Sequence, residues 1–105
     1  LGEGKSDVRV LSEVARFYIT IDEPLEAKAL VNKAKSKGAQ MGDVIRAEGA
    51  LHIAQGRSQE AVELLRARVA KHPEDVDAQA LLAKALAAAG QEGDAKALRK
   101  ALGLR

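Results

Sequence analysis

Acid–base or metal chemistry would have to be drawn from two histidines and fifteen carboxylates, because the chain has no cysteine. His52 stands in an apolar helical stretch and His72 precedes Pro73 in a turn, where it reads as a solvated loop residue. Neither has a neighbouring acidic cluster at metal-ligand spacing. The carboxylates occur singly among Lys and Arg, as in Glu60, Glu63 and Arg66, the pattern of a solvated helix face. The opening Gly-Glu-Gly-Lys-Ser lacks both the preceding strand and the full spacing of a phosphate-binding loop. No nucleophile, base and orienting group can be assembled from this inventory. The reading is therefore non-catalytic, with no catalytic, cofactor-binding or metal residues.

Composition points the same way. At 105 residues the chain has room for one domain with a thin core. Aromatic content is 2% and Ala is frequent, which favours closely approaching helices. Lys and Arg exceed Asp and Glu by only two, and the charges are interleaved rather than gathered into a basic stripe. Nucleic acid is thus not an expected partner. No apolar run approaches the roughly 20 residues that span a bilayer, so no membrane insertion is expected. The absence of Cys leaves cytoplasm and periplasm both open.

The elements that would position any functional residue follow from caps, stops and period. Asp7 is expected to cap a helix from Val8 to Thr20, with Val8, Leu11, Val14, Ala15 and Tyr18 as its buried stripe. A second helix runs from Pro24 to Lys37 with Ala27, Leu30, Val31 and Ala34 inward, and Gly38 is expected to supply a left-handed closure. The third spans Val44 to Gln55. The fourth, opened by Ser58 as cap, reaches Lys71 with Ala61, Leu64, Leu65 and Val69 inward before Pro73. Asp75 caps a fifth helix from Val76 to Ala89, and Gly93-Asp94 opens a last one to Leu102. Helix five is apolar nearly all round, which predicts cover on several sides.

Gly49, His52, Gly56, Ala61, Leu65 and Pro73 carry a more specific signal. Their order resembles the tetratricopeptide repeat, a 34-residue helix–turn–helix unit. At that period Gly49, Ala61 and Leu65 return as Ala15, Ala27 and Val31 before, and as Ala83, Ala95 and Arg99 after. The ring place reads Tyr18, His52, Leu86 and the turn place Asp22, Gly56, Gly90. Glu48, Arg68 and Arg99 depart from apolar or small places, and no Trp is present. The resemblance implies an all-α, right-handed α-solenoid of three antiparallel helix pairs, with 1–7 a linker and repeats at 8–41, 42–75 and 76–105. It makes Gly49 a site of close helix contact and His52 a core filler. The chain reads as part of a larger bacterial protein.

The resemblance also implies a function, a scaffold that binds a peptide or helix of a protein partner in its concave groove. In this repeat the first helix of each pair lines that groove. Register then assigns Arg9, Ser12, Glu13, Arg16, Ile19, Arg46, Ala50, Ile53, Leu81, Lys84 and Ala88 to partner binding, with Thr20, Asp43, Ala47, Ala54, Asp77, Ala80 and Ala87 also facing the groove. A known subclass grips chaperone-tail carboxylates with Lys and Asn. Those places hold Ser12, Arg16, Ala47, Asp77 and Leu81 here, of which only Arg16 suits a carboxylate. An amphipathic helix or extended apolar segment fits better, its acids meeting Arg9, Arg16, Arg46 or Lys84. The alternative is self-association as a homodimer through helix five or the C-terminal edge. RNA reading by 35-residue helical repeats is disfavoured by the 34-residue period.

Overall fold

In the computed structural model, which describes residues 3–103 and side chains from Asp7 onward, the three turn places share one geometry. Asp22, Gly56 and Gly90 have φ of 61°, 76° and 84°. In each case the next residue's N–H donates back to the ring place at 2.8 Å: Glu23 to the Tyr18 carbonyl, Arg57 to His52 and Gln91 to Leu86. The turn residue itself donates at 3.1 Å to the carbonyls of Ile19, Ile53 and Ala87. This paired arrangement closes a helix through a left-handed residue, which Gly adopts freely and Asp tolerates better than most side chains.

These turns and two other breaks divide the chain into α1 (Glu3–Thr20), α2 (Pro24–Gly38), α3 (Gly42–Ala54), α4 (Ser58–Lys71), α5 (Val76–Ala88) and α6 (Glu92–Ala101). Pro24 opens α2 as expected, and the Asp75 carboxylate caps α5 by accepting the Ala78 N–H at 3.0 Å. Three other terminal expectations need correction. Helix α1 begins at Glu3, so it takes in most of the stretch read as a linker and Asp7 lies inside it. Ser58 is the first residue of α4, where the capping place belongs to Arg57 and no side chain caps. Gly38 stays in α2, followed by Ala39 in right-handed helical geometry; a Cβ on Gly38 would sit 2.7 Å from Met41 Sδ, so the Met41 side chain would have to shift. Leu1, Gly2, Leu104 and Arg105 lie outside the described residues.

The order of contacts defines the architecture. Helices pair as α1 with α2, α3 with α4 and α5 with α6; α1, α3 and α5 lie side by side; and α2 packs on α3 as α4 packs on α5. Among the described residues the backbone of α2 does not come close to that of α4, nor that of α4 to that of α6. The result is an α-solenoid of three helix hairpins, 43 × 28 × 21 Å. Its core follows the 34-residue register: Ala15, Ala27 and Val31 in the first hairpin, Ala61 and Leu65 in the second, and Ala83 and Ala95 in the third are all buried.

Two expectations about burial change. Along α1, Val8 and Ala15 are buried and Leu11 and Tyr18 half-buried, but Val14 is 38% exposed and Ser12 takes its place inside. Helix α5 is covered by α3, α4 and α6 of the same chain, which bury Ala78, Leu81, Leu82, Ala83, Ala85 and Leu86. Its apolar character is thereby satisfied within the chain.

Gly49 is buried where α3 meets α4, and a Cβ there would lie 3.0 Å from Leu65 Cγ, Cδ1 and Cδ2. Leu65 is itself fully buried, so moving it disturbs the packed core around it. In the first hairpin the same two places hold Ala15 and Val31, a larger residue facing a smaller one. Gly49→Ala should therefore lower stability by about 1 kcal/mol, overpacking outweighing the gain in helix propensity. Adding Leu65→Val should recover more than half of that loss, measured by urea unfolding of the two single variants and the double.

Candidate partner-binding groove

The side-by-side packing of α1, α3 and α5 leaves an open trough of about 390 Å³. Helix α1 supplies Glu13, Arg16, Phe17, Ile19 and Thr20, α3 supplies Ala50, Ile53 and Ala54, and α5 supplies Leu81 and Lys84. The trough exists because α3, its middle helix, presents Ala50 and Ala54 where larger side chains would fill it. Arg16 and Lys84 stand on the two outer helices with an apolar floor between them.

Seven residues assigned by register thus come together: Glu13, Arg16, Ile19, Ala50, Ile53, Leu81 and Lys84. Four do not. Ser12 is 2% exposed, its hydroxyl donating to the Val8 carbonyl at 2.8 Å, so it is withdrawn as a contact. Arg46 is committed to Asp75 at 2.7 Å and Asp43 at 2.8 Å and is not free to meet a partner's acid. Arg9 lies outside the lining and pairs with Glu13 at 3.3 Å, and Ala88 is an exposed residue outside it. Phe17 was missed. It stands edge-on to Tyr18, ring centroids 5.9 Å apart, and is 57% exposed at the rim. The repeat has one ring place and Tyr18 occupies it; a second ring beside it was the available clue.

The profile of the tetratricopeptide repeat matches residues 52–105, slightly more than half of the sequence. The chain belongs to the tetratricopeptide repeat family. No curated protein and no solved structure matches it. Tetratricopeptide repeats generally mediate protein–protein interaction and are typically non-catalytic scaffolds. Among the described residues no group of three or more His, Asp or Glu is placed to hold a metal ion, and no helix is long and apolar enough to cross a membrane.

Two of the three polar departures from the tetratricopeptide pattern, Glu48 and Arg68, lie on the seams between its hairpins. Lys35 on α2 pairs with Glu48 on α3 at 2.7 Å. Arg68 on α4 and Arg46 on α3 both reach Asp75 Oδ2, at 2.8 and 2.7 Å, just before α5. His52 does not simply fill the core. It is half-buried, with Nε2 3.7 Å from Glu48 and Nδ1 3.9 Å from Glu60, beyond hydrogen-bond reach.

Asp75 is the centre of this seam. Burial works to raise its pKa, but the Ala78 N–H and the Arg68 and Arg46 guanidinium groups outweigh it and hold the carboxyl below its usual range. A depressed folded pKa contributes stability that is complete above the unfolded value of about 3.9 and is lost as pH falls through the folded value. Asp75→Ala removes the cap, takes the ion-pair partner from Arg68 and leaves Arg46 with Asp43 alone, which should cost about 2 kcal/mol. Asp75→Asn, which retains a capping oxygen, should cost less. Its stability should also fall less steeply than the native protein's between pH 6 and pH 3, as followed by urea unfolding at each pH.

Proposed function

We propose that the trough binds an amphipathic helix or an extended apolar segment of a protein partner. The observation that carries this reading is the placement of Arg16 and Lys84 on opposite walls of a floor made by Ile19, Ala50, Ile53, Ala54 and Leu81. Apolar side chains entering over the two alanines supply most of the binding free energy, at roughly 25 cal/mol per Å² removed from water. Exposed ion pairs add little affinity by themselves. The two cations instead select a segment with acids on both flanks and fix its register. Phe17 offers an aromatic edge at the rim, the residue type enriched in interface cores.

The trough holds a few side chains rather than a whole folded surface, so a short linear segment is the fitting ligand. Displayed random 16-residue peptides should enrich sequences with spaced apolar residues flanked by Asp or Glu. Arg16→Glu combined with Lys84→Glu should weaken the selected peptides at least tenfold by calorimetry, with helical content unchanged. Ala54→Arg, at an exposed small residue of the trough, should do the same by filling the space. Undiminished binding to both variants would place the interaction elsewhere on the protein.

A further inference from the structure

We infer that the occupant of the trough crosses α1, α3 and α5 as an extended segment with two carboxylates about six residues apart, an inference that rests on the trough being the binding site. Arg16, Ala50 and Lys84 follow one another at 34 residues, so stacking sets them side by side at one level of the three helices. Arg16 and Lys84 are the cations of the lining. Both are exposed, and neither is in an ion pair among the described side chains. Glu13, three residues before Arg16, is paired with Arg9 instead at 3.3 Å. The neighbouring rows hold no cation: one turn earlier stand Glu13, Ala47 and Leu81, and one turn later Thr20, Ala54 and Ala88. The positive charge of the trough is thus confined to one row, with a cation at each end and a small residue between.

Dimensions set the direction and the conformation. Packed helices lie about 8 to 10 Å apart, which puts about 18 Å between the axes of α1 and α5. Along α1 the lining runs only from Glu13 to Thr20, about 10 Å at helical rise. The long dimension of the trough therefore crosses the helices. An extended chain advances about 3.3 Å per residue, so about six residues carry one acid to Arg16 and another to Lys84. A helix would need about twelve for the same span, and with its side chains it is about 10 to 12 Å across. It would ride on the rim, where Phe17 is 57% exposed, rather than enter. An extended chain is narrower, and every second side chain between its acids points down onto Ala50 and Ala54. The cations then act as end stops that fix the register of the segment.

Three synthetic 16-residue peptides of Val, Thr and Ser test this, identical in composition, with two Glu placed two, six or ten residues apart. The even spacings keep both Glu on one face of an extended chain. Binding is measured by fluorescence anisotropy on the full chain. The six-residue spacing should bind at least threefold more tightly than either other, and added salt should narrow the gap. In double-mutant cycles Arg16→Gln should abolish the effect of exchanging one Glu for Gln, and Lys84→Gln that of the other alone. Equal affinity at all three spacings, binding of none, or both Glu coupled to the same cation overturns the inference. Ala54→Arg separates its failure from that of the site: weakened binding without a spacing preference sinks the extended crossing alone, whereas peptides that keep full affinity for Ala54→Arg bind outside the trough and sink both.

Discussion

Each hairpin after the first depends on cover from the one before it. Helices of this length are marginal alone, and a single pair hides only one side of its first helix. Helix α3 is held by α1, α2, α4 and α5, and α5 by α3, α4 and α6. Small residues at the repeat's fixed places let these axes approach, most tightly where Gly49 meets Leu65. The shared turn, with its left-handed residue and its 2.8 Å bond back to the ring place, sets the angle at which each hairpin returns. The trough follows from this stacking, since α1, α3 and α5 are adjacent only because their partners lie behind them.

The seams add a polar layer to that apolar one. Glu48 and Arg68 stand where the repeat pattern favours apolar or small residues, and both are used in ion pairs between successive hairpins. Asp75 does two things at once, capping α5 and joining it to cations from α3 and α4. Its depressed pKa is the electrostatic trace of that double role. Such a junction couples the second hairpin to the third with directional contacts that an apolar seam lacks.

Much of this was legible in the residues. The period placed the turns at Asp22, Gly56 and Gly90, the close contact at Gly49 and the buried alanines, because these depend on backbone geometry and side-chain volume, which recur at fixed spacing. Helix starts were less legible. Asp7 and Ser58 are good capping types, yet helical geometry extends past the first and starts at the second, as propensity yields to packing. In the groove, register located the walls and floor but could not show that Arg46 reaches Asp75, twenty-nine places along the chain. It also could not show that Ser12 turns its hydroxyl back to Val8. Both depend on side-chain direction. Val14 was expected inside because it is apolar at helical spacing; it is exposed because no helix precedes α1 among the described residues to cover it.

The trough is a consequence of one stacking rule, made by the sides of successive first helices. The rule is tested most directly by native-state hydrogen exchange resolved to single amides. Stacking predicts the slowest exchange in α3, α4 and α5, opening together with one free energy close to that of global unfolding, and faster exchange in α6 and the first turns of α1. Three hairpins that open independently, or an α1 as protected on its exposed face as α3 is on the matching face, would contradict it.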